Sequence, residues 1–151
     1  MTQLQEGMKA PSFKGENQNG DAISLDDFKG KKLVLYFYPK DNTPGCTAQA
    51  CNLNDNYSSF IDKGYEVVGV SPDDEKSHQK FIDKYDLKFN LIADTKKEIV
   101  EKYGVWVEKK MYGRTYMGVA RTTFLINEEG VIEKIISKVD TKNHTSQIID
   151  L

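Results

Sequence analysis

The run Leu33-Val34-Leu35-Tyr36-Phe37-Tyr38, closed by Pro39, is the feature that most restricts how this chain can fold. Consecutive apolar, aromatic and β-branched residues ended by a proline predict a buried strand that passes into a loop. That loop leads to Thr43-Pro44-Gly45-Cys46-Thr47-Ala48-Gln49-Ala50-Cys51. Thr43 is placed to cap a helix and Pro44 to fill its first position. Cys46 then falls third, where its own N–H lacks an intrahelical partner. A cysteine at such a strand-to-helix junction is placed to react as a thiolate.

Strands alternate with helices along the rest of the chain. A hairpin is predicted around Asn19-Gly20, between Phe13 and Ile23-Ser24-Leu25. Cys46, Ala50, Leu53, Tyr57, Phe60 and Ile61 recur at helical spacing, which predicts the inward face of one helix ending near Gly64. Tyr65–Val70 reads as a strand. A second helix, marked by Phe81, Ile82 and Tyr85, follows Ser71-Pro72, with Asp73, Asp74 and Glu75 as helix-start acids. Leu91-Ile92-Ala93 is a short strand, and Ile99, Val100 and Tyr103 mark a helix stopped by Gly104. Residues 106–119 read as an irregular excursion, with Trp106, Tyr112 and Tyr116 expected to anchor it to the core. Thr122–Ile126 and Val131–Ile136 are strands joined through Asn127-Glu128-Glu129-Gly130, and a short helix near Thr145–Ile149 closes the chain. The expectation is an α/β layer structure without repeats or linkers.

At 151 residues the chain fits one domain, spanning 1–151. The 21 basic residues are scattered among 23 acidic ones for a net charge of −2, which argues against a nucleic-acid partner. Lys109, Lys110 and Arg114 read as a solvated loop. No basic start precedes an apolar segment at the N-terminus, and no apolar run reaches membrane-spanning length, so no membrane association and a cytoplasmic location are expected. In that compartment a close cysteine pair points to catalysis or metal binding rather than a permanent bridge. The two histidines, His78 and His144, lie far along the chain, too few and too distant to complete a zinc set, so no metal is expected. His78 is expected to pack at a boundary, and His144 to be structural.

A free cysteine titrates at about 8.5, and lowering that to about 6 takes roughly 3.4 kcal/mol of preferential thiolate stabilisation. An exposed helix N-terminus supplies only about 0.3–1 kcal/mol and a partly buried one about 2. A cation is therefore needed beside Cys46. Arg121 is the candidate, because it opens the core strand Arg121-Thr122-Thr123-Phe124-Leu125-Ile126, where packing gives no reason for an arginine.

Pro39-x-x-x-Thr43-x-x-Cys46 resembles the peroxidatic motif of peroxiredoxins, and Arg121 before Thr122-Thr123-Phe124-Leu125-Ile126 matches their active-site arginine. Cys46 followed by Cys51 is similar to the bacterioferritin comigratory protein group, also called Q-type peroxiredoxins. Supporting similarity runs from about Gly7 to His144 and includes Tyr36-Phe37-Tyr38-Pro39, Val68-Gly69-Val70-Ser71 and Tyr103-Gly104-Val105-Trp106. The resemblance implies a thioredoxin-like fold, a central mixed sheet flanked by helices, and reduction of hydrogen peroxide and organic hydroperoxides. It implies Cys46 as the peroxidatic cysteine and Cys51 as the resolving one, joined in an intramolecular disulfide that thioredoxin or a similar dithiol reduces. Thr43 and Arg121 would donate hydrogen bonds to the peroxide, and Pro39 would shield the sulfur from water. Gln49 is positioned to hold Arg121 or to lie at the surface. No metal, haem or flavin cofactor is implied, and the chain is expected to be monomeric. Asn54 stands where the group often has arginine, and the chain ends at Leu151, short of the group's usual final helix.

Other readings of the same cysteines are a redox sensor that alters a protein partner on oxidation and a general dithiol–disulfide oxidoreductase. The latter usually carries Cys-x-x-Cys, a spacing this chain lacks. An α-helix would separate the Cα atoms of Cys46 and Cys51 by roughly 8.7 Å. A disulfide needs them within about 7 Å, so the first turns of that helix are expected to unwind on oxidation.

Overall fold

The computed structural model describes residues 2–150. Its strands are β1 (Lys14–Glu16), β2 (Ala22–Ser24), β3 (Lys32–Phe37), β4 (Tyr65–Ser71), β5 (Asn90–Ala93), β6 (Trp106–Met111), β7 (Arg114–Val119), β8 (Thr122–Ile126) and β9 (Ile132–Ile136). Its helices are α1 (Pro44–Asp55), α2 (Tyr57–Asp62), α3 (Glu75–Tyr85), α4 (Glu98–Lys102) and α5 (His144–Ile148). None of the helices is long and apolar enough to cross a membrane.

Five strands form a mixed sheet in the order β5-β4-β3-β8-β9. β3 pairs parallel with β4 and antiparallel with β8, which places it at the centre. Both faces are covered, which is why its sequence shows no polar alternation. Leu33, Leu35 and Phe37 join Val68, Val70, Tyr103 and Phe124 on one side. Val34, Tyr36 and Tyr38 join Cys46, Ala50, Leu53, Phe60 and Phe81 on the other. The β1–β2 hairpin forms as expected, with Gly15 opposite Ile23. Asn17 bridges to Ile92, and Gln18 binds Asn90 and the Leu91 N–H, so the loop of this hairpin covers the free edge of β5.

Three local expectations are corrected. The helix expected to run from Cys46 to Gly64 is two helices, broken at Asn56, whose N–H turns back to Leu53 O and whose side-chain amide donates to Asn52 O. After the break Ile61 points outward at 45% exposure, not into the core. Residues 106–119 are an ordered antiparallel hairpin, β6–β7, with Tyr112 and Gly113 at its turn, both at positive φ. Trp106 packs on the core, but Tyr112 is 97% exposed and Tyr116 42%, so neither of these two is an anchor. Finally, only Asp74 caps α3, accepting from Ser77 N–H, whereas Asp73 serves the loop after β3.

Candidate active site

β3 hands the chain to α1 through a loop that is held from below. Tyr38 OH donates to Asp41 Oδ1 at 2.6 Å, and Ser77 Oγ donates to Asp41 Oδ2 at 2.7 Å. His78 Nδ1 also meets Asp41 Oδ2 at 2.7 Å, while its Nε2 meets Ile92 O at 2.9 Å. The Asp41 N–H donates to Asp73 Oδ2 at 2.8 Å, and Ser71 Oγ donates to the same oxygen at 2.7 Å. His78 is fully buried within this network rather than packed at a boundary. Sequence periodicity carries no signal for it, because its members come from the loop after β3, the end of β4 and the loop beyond it, α3 and β5. Asp41, Asp73 and His78 bring their ligand atoms within 4.8 Å of one another, yet those atoms already serve Tyr38, Ser71, Ser77 and the loop N–H. The cluster is a hydrogen-bonded brace.

Above the brace, Thr43 is the N-cap of α1 in extended conformation, and Pro44 is the first helical residue. Thr47 N–H donates to Thr43 O at 2.8 Å, the first backbone bond of the helix, and Cys46 sits just before it. The Thr43 hydroxyl does not cap; it donates to Lys40 O at 2.9 Å. Cys46 is a free thiol, 2% exposed. Arg121 reaches it from the strand entry: Nη2 donates to Cys46 Sγ at 3.3 Å and Nη1 to Gln49 Oε1 at 2.7 Å. Of the two places open to Gln49, the structure gives the one facing Arg121. Gly45 lets the guanidinium lie against the helix start, since a Cβ there would stand 3.2 Å from Nη2. Pro39, half-buried, follows the end of β3.

Two further groups bear on the electrostatics. Lys109 of β6, expected in a solvated loop, is half-buried; burial and the Arg121 guanidinium push its amine below its ordinary value, and Cys46 opposes that. His144 is fully buried between Thr123 Oγ1 at 2.8 Å and Gln147 Oε1 at 2.7 Å. Burial, aided by Arg121, lowers its pKa, with the Gln147 hydrogen bond opposing. Sequence reasoning missed Lys109 because it hangs on a hairpin that carries no strand pattern.

Cys51 is half-buried and free; burial, then Asp55, push its thiol up. Both cysteines belong to the unbroken helix α1, so their Cα atoms stand about 8.7 Å apart, outside bonding range. Asn52, next to Cys51, is tied to the C-terminal segment: its Nδ2 donates to Lys142 O at 3.0 Å and its Oδ1 accepts from Thr145 N–H at 2.8 Å. Asn54 holds the turn after α3, donating to Asp86 O and accepting from Lys88 N–H. The surface hollows beside Lys14 and Asp94, over Phe28 and Leu33, and beside Tyr103 and Trp106 are not lined by Cys46.

A buried thiol at a helix N-terminus, hydrogen-bonded by an arginine, defines a class of cysteine-based redox enzyme. Comparison with known proteins then specifies it. Residues 7–135 match the AhpC/TSA family. The chain is 42% identical over 146 residues to Peroxiredoxin Bcp of Bacillus subtilis, covering 97% of this chain and 93% of that protein. It is 39% identical over 150 residues to Peroxiredoxin Bcp of Escherichia coli, covering 99% and 96%. Among solved structures, a cysteine-to-serine mutant of Xylella fastidiosa PrxQ superposes with a TM-score of 0.92 at 30% identity, covering 98% of this chain and 94% of that one. Xanthomonas campestris Peroxiredoxin Q gives 0.85 at 34% identity, covering 90% and 86%. The chain belongs to the AhpC/TSA family, as a peroxiredoxin of thioredoxin-like fold and a thiol-dependent peroxidase.

Proposed function

We propose that Cys46 reduces hydrogen peroxide and organic hydroperoxides and that Cys51 closes the cycle within one chain. The Arg121 hydrogen bond to the Cys46 sulfur at the helix start carries this reading. The thiolate attacks the terminal peroxide oxygen, the O–O bond breaks, Cys46 becomes a sulfenic acid, and the departing alkoxide or hydroxide takes up a proton. Arg121 and the Cys46 N–H are the preset donors against the developing charge. Thr43 joins them once its hydroxyl turns from Lys40 O, and Pro39, which has no N–H, limits water at the sulfur. A structure of the related Xanthomonas campestris protein was described in connection with alkyl peroxide reduction, which supports organic hydroperoxides as substrates here.

In the second step the Cys51 thiol displaces water from the Cys46 sulfenic acid, forming a disulfide. The helical separation requires α1 to unwind first. A dithiol, thioredoxin or a protein like it, restores both thiols by exchange. On this reading the chain is one domain over residues 1–151 and acts as a cytoplasmic monomer.

Intact-mass and peptide analysis after one equivalent of hydrogen peroxide tests the cycle, alongside Cys46→Ser and Cys51→Ser variants. The expected product is two hydrogens lighter, with a Cys46–Cys51 bridge. A sulfenic acid persisting at Cys46 of the wild type, or a bridge between chains, removes Cys51 as internal resolver. Unmodified thiols overturn the peroxidatic assignment.

A further inference from the structure

The β6–β7 hairpin leaves several apolar side chains in solvent and draws one lysine partly out of it. Met111, Tyr112 and Met117 are 55%, 97% and 50% exposed, yet Lys109 is turned inward and half-buried. Lys109 lies opposite Tyr116 in the ladder. Its aliphatic stem runs over Gly118, where a Cβ would stand 3.2 Å from Lys109 Cδ and 3.5 Å from Cε. From Gly118 the chain continues through the buried Val119 and through Ala120, whose N–H donates to Val105 O at 2.7 Å, directly into Arg121. The lysine therefore lies along the segment that delivers the arginine to the sulfur.

Its charge has no local explanation. Among the described residues, the ion pairs are Lys29 with Asp26 and His78 with Asp41; Lys109 has no carboxylate partner. The charged groups that it feels are Arg121, which repels it, and Cys46, which attracts it once ionised. Holding two cations together in a partly desolvated place is unfavourable unless an anion lies between or beside them. The anion that the site supplies is the thiolate, followed by the oxygen that departs from it. Arg121 divides its charge between two partners, Nη1 donating to Gln49 and Nη2 to the sulfur.

We propose that Lys109 is a second cation of the Cys46 centre, held over Gly118 so that its charge raises the positive potential at the sulfur. This rests on the peroxidatic reading of Cys46. Lys109 acts through the sulfur and Arg121, so it is a positioning and electrostatic residue with no contact to peroxide.

The test uses reduced protein in a Cys51→Ser background, so that Cys46 is the one thiol. Its alkylation rates with neutral iodoacetamide and with anionic iodoacetate are compared at low ionic strength. The ratio of the two rates reports the potential at the sulfur and is insensitive to a general loss of reactivity. Lys109→Gln is expected to lower the iodoacetate-to-iodoacetamide ratio about fivefold, the effect of about one partly screened charge. Lys109→Arg is expected to restore the ratio, and added salt to erase the difference. Gly118→Ala, which crowds the stem while keeping the charge, is expected to lower the ratio partway, and it serves if Lys109→Gln fails to fold. An unchanged ratio in both Lys109→Gln and Gly118→Ala, or an equal slowing with both reagents, overturns the proposal. Peroxide reduction is measured in parallel. If wild-type Cys46 reacts no faster than a free thiol, the peroxidatic reading fails, while the ratio still reports on Lys109 separately.

Discussion

Gln49 accepts the Arg121 Nη1 proton at 2.7 Å from a fully buried position on α1, and its own Nε2 has no partner among the described residues. The residue thus keeps an unsatisfied amide in the core in order to aim a guanidinium. Gln49→Met, close in volume, removes the acceptor and the orphan nitrogen together. Losing the acceptor and losing the unpaired amide act in opposite directions, so folding stability should change by less than about 1 kcal/mol. Peroxide reduction should fall about tenfold, because Arg121 loses its orientation. Stopped-flow kinetics and urea unfolding measure the two separately.

Asn52 links the cysteine helix to the C-terminal segment through Lys142 O and Thr145 N–H. Asn52→Ala breaks both bonds, at about 1–2 kcal/mol. Amide exchange of residues 44–52 in the reduced protein should quicken, and the Cys46–Cys51 disulfide should close faster after a peroxide pulse. Exchange that stays as slow as in the wild type would show that the segment does not restrain α1.

His144 is held neutral by burial, and its pKa in the folded chain lies below its ordinary value of about 6.5. The unfolded chain therefore binds more protons as pH falls below that value. Stability from this group is complete above about pH 6.5 and is lost as pH drops through the folded value. Asp94 has the opposite sign: burial raises its pKa, so its contribution is present below about pH 4 and lost above it. Denaturant titrations between about pH 7.5 and about pH 5.5 isolate the histidine. The wild type should lose stability over that range, and His144→Asn should show a flatter dependence.

Tyr112 sits at φ 52°, almost fully exposed, with Gly113 at φ 76° beside it. Asn-Gly is the preferred pair for such a two-residue turn, whereas a bulky residue at positive φ is strained. Tyr112→Asn should raise the melting temperature by about 2 °C, the scale expected for about 1 kcal/mol in a chain of this size. Scanning calorimetry decides it; an unchanged or lower melting temperature would mean that the ring is held by contacts in solution.

What the sequence discloses depends on whether a signal is local. The central strand, the helix start at Cys46 and the arginine opening β8 each carry a nearby composition cue, and all are found where periodicity and turn chemistry put them. The β6–β7 hairpin escapes detection because Met111, Tyr112 and Met117 point to water while Lys109 is half-buried, which blurs the pattern that marks a half-buried strand. The Asp41–His78 brace escapes because burial and partner choice are long-range properties. Asp73 next to Asp74 looks like one more helix-start acid until the loop N–H of Asp41 is seen beside it. The break at Asn56 is a single side chain returning to Asn52 O, which no apolar spacing records.

That break has a mechanical meaning for the proposed cycle. Unwinding of α1, as proposed, would meet a joint at Asn56, beyond which Phe60 lies in the core on a separate short helix. Nothing that Cys46 and Cys51 do to each other need be transmitted along a continuous rod into the sheet. On that reading the protein opens in one hinged flap, uncovering Cys46, Ala50 and Leu53 while Phe60 keeps its own part of the core covered.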